Sequence, residues 1–486
     1  MPDVPRFAAA DLGAESGRVV VGALADGHVE LDVVHRFANR AVRLPDGLHW
    51  NVAALLEGIV DGLRAAGRVD GVGVDAWGVD YGLVDHGGRL VGLPYHHRDT
   101  RTAGMVDRAF ERVPRDELYA ATGIQTMPIN TVFQLLADEG TPALDAAARM
   151  LLIPDLLAFW LSGEAANEIT AASTTGLLDA RTGTWAAGAI ERLALPKRLF
   201  GALVEPGTAL GPLLEAHGVD GAPLVRAVAG HDTASAFAAA PVVDDDAAIL
   251  SSGTWSLLGL ELTAPELGQA AAAANLTNER GVDATTRLLK NVMGLWLVQE
   301  CRRAWQAYDY DELHRLAAEA PEDVALIDPD DEAFLAPGDM PARIAAHCER
   351  SGQRPPATPG ETVRTILVSL ACKYRLVLRS LERVSGRQVR CVHVIGGGAR
   401  NALLCQLTAD VLELPVLAGP VEATALGNVL VQARGAGLVG SLAELRAIAA
   451  ASARPQTFEP AADRAAEYER FLAVTRLADH ASAAAP

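Results

Sequence analysis

Lysine is the scarcest charged residue of this chain, and its scarcity excludes the commonest phosphate-binding loop. Lys197, Lys290 and Lys373 are the only lysines among 486 residues, and none of them follows a glycine. A Walker-type loop needs a Gly-Lys pair whose ammonium group reaches the phosphates. Any phosphate bound by this chain must therefore be held by backbone amides, hydroxyl groups and a metal ion.

Cysteines are also few, and their spacing matches no metal-binding pattern. All five lie in the second half of the chain, at Cys301, Cys348, Cys372, Cys391 and Cys405. An odd, scattered set favours reduced thiols over a disulfide framework or a zinc site. The sequence also lacks a basic-then-apolar leader and any run of about 18 uncharged apolar residues. We therefore expect a cytoplasmic protein without a membrane-spanning helix.

Basic residues are outnumbered, since 42 Lys+Arg face 61 Asp+Glu and give a net charge of −19. Such a charge disfavours nucleic acid or an anionic membrane as a partner. A nucleotide remains compatible, because a metal ion and local dipoles can neutralise its phosphates at one site. We expect small-molecule ligands and a monomer or homodimer. The length predicts two or three domains.

The chain does contain clear strand and helix patterns, and the same order of elements begins each half. Apolar runs predict strands at 7–10, 18–24, 29–37, 71–74 and 225–228, with an amphipathic helix at Val52–Ala66. The acidic segment 241–246 predicts a boundary between domains 1–242 and 243–486, the second ending in a helical tail at 436–486. Strands at 247–250, 257–262 and 392–395 follow, with a helix from Asn401. This repetition indicates an internal duplication in an α/β protein, with a ligand between the halves.

Three glycine-containing turns each follow an apolar strand. They lie at 11–18, 251–256 and 396–401. Three such turns favour a nucleotide held from two sides. A dinucleotide-binding fold is disfavoured, because the third turn lacks G-x-G-x-x-G spacing. Considered alone, the turn at 11–18 is equally compatible with an ordinary hairpin.

Two carboxylates have the positions that phosphoryl transfer requires. Asp11 ends the first predicted strand and is the natural carboxylate for magnesium, while Asp232 is the natural base for an accepting hydroxyl. Asp232 can also be interpreted as the N-cap of a helix over 233–240. Its neighbour His231 can equally be a structural histidine.

A third cluster suits a sugar. Asp75, Trp77 and Asp80 supply carboxylates and an indole face within six residues. The alternative is that Trp77 is a plain core residue. The pair His96 and His97 is a poor metal site, because adjacent side chains on a strand point in different directions.

These motifs together resemble the FGGY family of carbohydrate kinases, from about residue 7 to residue 432. The strings that carry the resemblance lie at 11–18, 73–80, 231–235, 250–256, 289–296, 396–401 and 419–427. The resemblance implies an α/β fold of two duplicated actin-like (ribonuclease H-like) domains with an intervening catalytic cleft. It also implies ATP as co-substrate with Mg²⁺. The sequences at 289–296 and 419–424 resemble those of the family members that phosphorylate L-rhamnulose at its C1 hydroxyl.

The resemblance also implies roles for individual residues. It assigns ATP contacts to Ala14, Glu15, Ser16, Gly17, Arg18, Thr254, Gln299, Gly397 and Gly398. It assigns sugar contacts to Gly78, His231, Thr233 and Asn291, and it makes Asp232 the proton acceptor. The family commonly has a small hydroxyl residue where this chain has Glu15, and an acidic side chain there would repel phosphates unless it points away or helps the metal.

Two other functions stay open at this point. One is the same chemistry on another ketose, such as L-fuculose or L-xylulose. The other is a sugar or nucleotide sensor on the same fold that does not catalyse a reaction, although the presence of both Asp11 and Asp232 disfavours it.

Overall fold

The computed structural model describes residues 4–242 and 244–477, and the chain divides into two compact units. Of the described residues, the first unit takes 4–242, 261–288 and 423–453, and the second takes the remainder. The sequence predicts two continuous domains that meet at 242–243. This prediction does not include residues 261–288 and 423–453, which lie in the first unit. Within the described ranges, no helix has both the length and the apolar character needed to cross a bilayer.

The first unit is built on a six-stranded sheet. Its strands lie in the order Ala209–Pro212, Leu224–Arg226, Gly71–Ala76, Arg6–Leu12, Ser16–Ala25 and His28–Ala38. Arg6–Leu12 pairs parallel to Gly71–Ala76 and antiparallel to Ser16–Ala25. Both central strands are almost wholly buried, which explains their continuous apolar runs. The predicted strands of the first half are therefore confirmed, except that the last one, predicted at 225–228, lies at 224–226.

The predicted amphipathic helix Val52–Ala66 is confirmed with the same bounds. Asn51 caps its N-terminus by accepting a hydrogen bond from the Ala54 amide, and Leu55, Ile59 and Leu63 repeat along its buried face. Further helices of this unit are Met105–Arg112, Arg115–Thr122, Thr131–Ala137, Pro142–Ala146, Ile153–Ser162, Ile169–Ser173, Ala187–Arg192, Asp232–Ala238, Gln269–Ala273, Ala423–Gly435 and Leu442–Ser452. Short strands pair as Ala41–Leu44 with Gly47–Trp50, Tyr81–Val84 with Arg149–Leu152, and Asn167–Glu168 with Leu203–Val204. Thr277–Arg280 is a further strand.

The second unit repeats the strand arrangement of the first. Ala247–Ser252 pairs antiparallel with Trp255–Leu262 and parallel with Cys391–Ile395, and Val416–Ala418 and Gln456–Phe458 extend the sheet beyond Cys391–Ile395. The unit boundaries fall inside the strands Trp255–Leu262 and Thr286–Met293. In each unit the first strand is therefore followed by an antiparallel partner and is joined by a later parallel one, as the predicted duplication requires.

Long helices pack in the second unit. They are Trp296–Trp305, Tyr310–Glu319, Met340–Arg350, Pro359–Ser385, Ala402–Leu412 and Ala465–Thr475. The helix predicted from Asn401 is Ala402–Leu412, and Asn401 caps it by accepting a hydrogen bond from the Leu404 amide. The predicted helical tail comprises Leu442–Ser452 and Ala465–Thr475 with the strand Gln456–Phe458 between them, and residues 478–486 lie outside the described residues.

Candidate active site

The ends of neighbouring strands bring the predicted acidic residues of the first unit to one edge of its sheet. Asp11 and Asp75 are paired residues on two parallel strands. The Ala76 amide donates to the Gly230 carbonyl at 2.9 Å, and Ala76 forms an isolated bridge with His231. Because parallel strands share their carboxyl edge, Asp11, Asp75 and the 230–232 segment meet there, at the usual place for ligands in α/β proteins.

The turn at 11–18 is a tight hairpin. The Gly13 amide donates to the Ser16 carbonyl at 2.9 Å, and Asn39 closes the other side through hydrogen bonds to Gly13 and Glu15 carbonyls. Glu15 and Ser16 are exposed, whereas Ala14 is half-buried. Gly17 is required by close packing, since a Cβ there would lie 2.4 Å from the Phe37 ring.

Arg18 and Asp11 contact each other. Both Nε and Nη2 of Arg18 donate to Oδ2 of Asp11, at 3.0 and 2.7 Å. The pair is largely buried, with side-chain exposures of 23% and 9%. The sequence analysis gives these two residues separate roles, with Arg18 binding a phosphate of ATP and Asp11 binding the metal ion. The structure shows that the guanidinium of Arg18 balances the charge of Asp11 directly.

Asp75 lies inside the wall beside Asp11. Its side chain is fully buried, Oδ2 accepts a 2.6 Å hydrogen bond from Asn428, and Oδ1 has no partner among the described residues. Gln432 holds Asn428 in turn, at 2.7 Å. Burial raises the pKa of Asp75 well above its usual range, and the charges of Asp11 and, less strongly, Asp232 raise it further.

Asp80 is the centre of a buried polar cluster that includes Trp77. It accepts hydrogen bonds from the indoles of Trp50 and Trp77, at 2.6 and 2.9 Å, and from His97 Nδ1 at 2.8 Å. Burial alone would raise the pKa of Asp80, but His97, His96 and Gln134 together hold it below its usual value. The Trp77 N–H is therefore used within the protein, and the indole packs against Trp50 with the ring centroids 4.1 Å apart and the ring planes tilted by 36°.

Gly78 stands where a helix approaches the strand end closely. A Cβ at this position would lie 2.9 Å from the side chain of Thr174. The Thr174 hydroxyl also accepts from the Val79 amide at 3.0 Å, and Val79 has a φ of 67°. The close approach of Thr174 explains why residue 78 is a glycine. The sequence around Gly78 does not indicate this contact.

Asp232 is the first residue of the helix Asp232–Ala238, and His231 occupies the N-cap position. Its Oδ1 accepts from the amide and hydroxyl of Thr233. The alternative in which Asp232 caps a helix over 233–240 is therefore wrong, because the helix has already begun at Asp232. Its side chain keeps 31% exposure.

The surroundings of Asp232 make its carboxylate more basic. Burial by neighbouring protein raises the pKa of Asp232 most strongly. His231 and the hydrogen bond from Thr233 oppose that rise, and Asp11 adds to it. Asp232 thus combines access for a ligand with a raised pKa, as a general base needs.

His231 is held by two residues that sequence reasoning missed. Its Nδ1 lies 3.1 Å from Arg287 Nη2 and 3.2 Å from Glu279 Oε2, and its Nε2 lies 3.5 Å from Asp232 Oδ1. Because a guanidinium only donates, a neutral His231 bonded to Arg287 carries its proton on Nε2, which faces Asp232. The only sequence signal for Arg287 is a charged residue beside the apolar pair at 288–289.

In the second unit, the predicted ATP residues surround the hairpin turn at 251–256. Gln299 donates to the Thr254 hydroxyl at 3.1 Å. The Trp296 amide, at the start of the helix Trp296–Trp305, donates to the Thr254 carbonyl at 3.0 Å. Asn291, a predicted sugar residue, lies half-buried on the strand Thr286–Met293.

The third glycine turn packs against the same hairpin. A Cβ on Gly398 would lie 2.0 Å from the Ser252 hydroxyl, whereas a Cβ on Gly397 would meet nothing within 4 Å. Gly398 is buried and Gly397 is exposed. The structure therefore brings Thr254, Gln299 and Gly398 together within this unit.

Family models agree with the motifs. The N-terminal domain of the FGGY family of carbohydrate kinases matches residues 9–238, and the C-terminal domain of that family matches residues 248–436. Together they cover most of the chain.

Curated relatives are similar over almost their whole length. A rhamnulokinase of Bacteroides thetaiotaomicron is 41% identical over 464 residues, covering 93% of this chain and 96% of the relative. A rhamnulokinase of Pectobacterium carotovorum is 42% identical over 483 residues, covering 97% of each. One of Enterococcus faecalis is 41% identical and covers 93% of each.

Solved structures share the fold at low sequence identity. A gluconate kinase from Lactobacillus acidophilus has a TM-score of 0.78 at 15% identity and covers 99% of both chains. A Plasmodium falciparum glycerol kinase with ADP has a TM-score of 0.76 at 15% identity and covers 98% of both. These neighbours confirm the predicted actin-like α/β fold. With the family models and the full-length relatives, they show that this chain belongs to the FGGY family of carbohydrate kinases.

Proposed function

We propose that this protein transfers the γ-phosphate of ATP to the C1 hydroxyl of L-rhamnulose. The similarity to three rhamnulokinases over at least 93% of the chain supports the sugar. The observation that carries the chemistry is the accessible carboxylate of Asp232, which stands beside His231 at the sheet edge that also holds Asp11.

Asp232 acts as the general base. Its carboxylate takes the proton of the C1 hydroxyl as that oxygen attacks the γ-phosphorus, and the bond between that phosphorus and the ADP oxygen breaks. A raised pKa brings the base closer to the pKa of the hydroxyl it deprotonates. The Nε2–H of His231 and the Thr233 hydroxyl lie beside the carboxylate and orient the sugar. Gly78, Trp77, Asp75 and Asn291 complete the proposed sugar set.

The carboxylates present fit Mg²⁺. Among residues 4–242 and 244–477, no three His, Cys, Asp or Glu residues are grouped to hold a metal ion. Magnesium at a nucleotide site nevertheless needs only one or two carboxylates besides phosphate oxygens and water. Asp11 would hold it, directly or through water. When bound, Mg²⁺ offsets the charge of the phosphates.

Backbone and hydroxyl groups hold the nucleotide in place of a lysine. We assign its phosphates to the hairpin turn formed by Ala14, Glu15, Ser16, Gly17 and Arg18, and further ATP contacts to Thr254, Gln299, Gly397 and Gly398. The exposure of Glu15 allows its side chain to turn away from the phosphates.

We also propose that the enzyme works in the cytoplasm as a monomer or homodimer. All five cysteines are free thiols, four of them buried, which suits a reducing compartment. Light scattering on the purified protein distinguishes the two oligomeric states.

The experiment that tests this function compares Asp232→Asn with the wild type on a panel of ketoses. We expect the variant to lose roughly 100-fold or more in turnover with L-rhamnulose while its affinity for ATP changes little, since only the base is removed. ADP release with L-rhamnulose, L-fuculose and L-xylulose then ranks the substrates.

Three results would contradict the proposal in different ways. Near-normal turnover by Asp232→Asn would remove Asp232 from the role of base. A higher specificity constant for L-fuculose or L-xylulose would change the sugar. ATP binding without any sugar-dependent ADP release would indicate a sensor.

A further inference from the structure

Glu168 is a buried carboxylate with an unusual number of hydrogen bonds. It caps the helix Ile169–Ser173, accepting from the amides of Thr170 and Ala171 at 2.9 and 3.0 Å. It also accepts from the Thr170 hydroxyl at 2.6 Å and from the Gly230 amide at 2.9 Å. Of these four hydrogen bonds, the one from Gly230 joins residues that are far apart in the sequence, with a separation of 62 positions.

That distant bond leads to the segment just before Asp232. The Gly230 amide donates to Glu168 directly, and the His231 amide donates to the Thr170 hydroxyl at 3.3 Å, which itself donates to Glu168. The Gly230 N–H is therefore bonded to the Glu168 carboxylate directly, and the His231 N–H is connected to it through the Thr170 hydroxyl. This fixes the path of the chain into the helix Asp232–Ala238, and with it the origin of the Asp232 side chain.

We propose that Glu168 is a positioning residue for the base, holding the 230–232 segment so that the carboxylate of Asp232 meets the sugar hydroxyl. The inference rests on the proposed function. Glu168 touches neither substrate nor phosphate in this role. It acts through Gly230, His231 and Thr170.

The charge of Glu168 is part of how it holds the segment. Four donors converge on it, and an anion is a stronger acceptor than a neutral acid. Burial raises the pKa of Glu168 to about 7, against the opposing effect of its donors at Thr170, Ala171 and Gly230. As pH falls through 7, the Glu168 carboxylate gains a proton and its hydrogen bond with the Gly230 amide weakens. Turnover should therefore fall.

Other titratable and charged groups surround Glu168, and their titration can also affect the pH dependence of kcat. Asp155, on the helix Ile153–Ser162, accepts from the Glu168 amide at 3.1 Å. Burial, and then the charge of Glu168, raise the pKa of Asp155 well above its usual range. The remaining neighbours are Arg226 in the same small cavity, the buried Arg287, and His231 and Asp232 on the held segment.

The test replaces Glu168 by glutamine, which keeps the shape and removes the charge. We expect Glu168→Gln to lower kcat by between about 10- and 100-fold, as a misplaced catalytic group does, with the KM for ATP unchanged. The acid limb of the pH–kcat profile near 7 should also move or disappear. Thr170→Val should give a smaller loss, and Thr170→Ser should restore activity.

A control and a double variant separate positioning from general damage. Glu382→Gln removes a half-buried carboxylate that accepts a backbone N–H from Val389, and it should leave kcat and the pH profile unchanged. In an Asp232→Asn background, adding Glu168→Gln should cost less than about 2-fold, because the base it positions is already gone.

Several outcomes would overturn the inference. They are an unchanged acid limb in Glu168→Gln, a full additional loss in the double variant, or equal activity of Thr170→Val and Thr170→Ser. If Glu168→Gln does not fold, the two Thr170 variants decide alone. Failure of the proposed function looks different, because Asp232→Asn would then keep its turnover whatever stands at 168.

Discussion

Charge at the candidate site is balanced residue by residue rather than by a general excess of basic groups. Arg18 pairs with Asp11, and His231 lies close to Arg287, Glu279 and Asp232. The Asp75 side chain accepts its one hydrogen bond within the described residues from the amide of Asn428. Among the described residues no cation is bonded to Asp75, so nothing of that kind offsets the rise that burial causes in its pKa.

Asp75 gives a prediction about stability. A carboxyl whose pKa is higher in the folded than in the unfolded state carries an extra proton when folded, between the two pKa values. Its stabilising contribution is thus present at low pH and is lost as pH rises from the ordinary value of 3.8 towards the raised folded value. Asp75→Asn cannot titrate, so its free energy of unfolding should fall less steeply with rising pH.

Urea unfolding at several pH values from about 4 to 8 measures this slope. Asp220→Asn, which removes an exposed carboxyl, is the matched control and should reproduce the wild-type slope. Parallel curves for Asp75→Asn and the wild type would contradict the assignment of a raised pKa.

At the residue scale, the sequence carries a signal where a polar residue coincides with the end of an apolar strand. Asp11, Asp75 and the 230–232 segment follow apolar strands, so their meeting at one sheet edge could be predicted. Glu279 and Arg287 could not be found in this way, because their contact with His231 joins residues about 50 positions apart. Nor could the pairing of Arg18 with Asp11, which depends on rotamers.

At the scale of elements, the helix Ala423–Gly435 packs closely on the helix Asp232–Ala238. A Cβ on Gly427 would lie 1.8 Å from the Ser235 carbonyl oxygen, so the two backbones approach as only glycine permits. The same helix carries Asn428, which bonds to Asp75. The helix Ala423–Gly435 therefore contacts both the helix Asp232–Ala238, which begins at the proposed base, and Asp75 at the edge of the sheet.

Gly427→Ala should accordingly destabilise the protein. The added methyl group must push the helices apart, and overpacking of this kind costs typically about 1–3 kcal/mol. Thermal unfolding measures the effect. Gly188→Ala, in a helix where a Cβ would meet nothing within 4 Å, should be neutral or stabilising. Equal stability of the two variants would contradict the close approach.

Elements themselves were predicted well wherever periodicity and capping agree. The apolar stripe of Val52–Ala66 predicts this helix, and in the structure Asn51 caps its N-terminus. The close packing at Gly427 had no such signal, because a glycine within a helix shows its partner only when the partner helix is in place.

At the scale of the molecule, the first unit depends on segments from far along the chain. Residues 261–288 supply Glu279 and Arg287 to His231, and residues 423–453 supply Asn428 and Gly427. The sequence boundary at 242–243 is compatible with the family models, whose domains end and begin at 238 and 248. Sequence patterns report local elements and therefore miss such returns of the chain.

A fragment ending at residue 242 should therefore fail to fold on its own. It leaves Asp75 without Asn428 and leaves the helix Asp232–Ala238 without its packing partner. We expect no cooperative thermal transition and little protection from hydrogen exchange at Gly71–Ala76, whereas mixing with residues 243–486 should restore both. A fragment that unfolds cooperatively at the temperature of the full chain would contradict this dependence.

The bond between Asp75 and Asn428 spans 353 residues, which has a consequence for synthesis in the cell. At roughly 5–20 residues per second, a ribosome adds Asn428 about 18 to 70 s after Asp75. Throughout that interval the nascent chain contains the apolar segments that will form the central strands, together with a carboxyl whose amide partner has not yet been made. We infer that the first unit matures only when translation is nearly complete, so that chaperones holding the emerging chain have most to protect in this stretch.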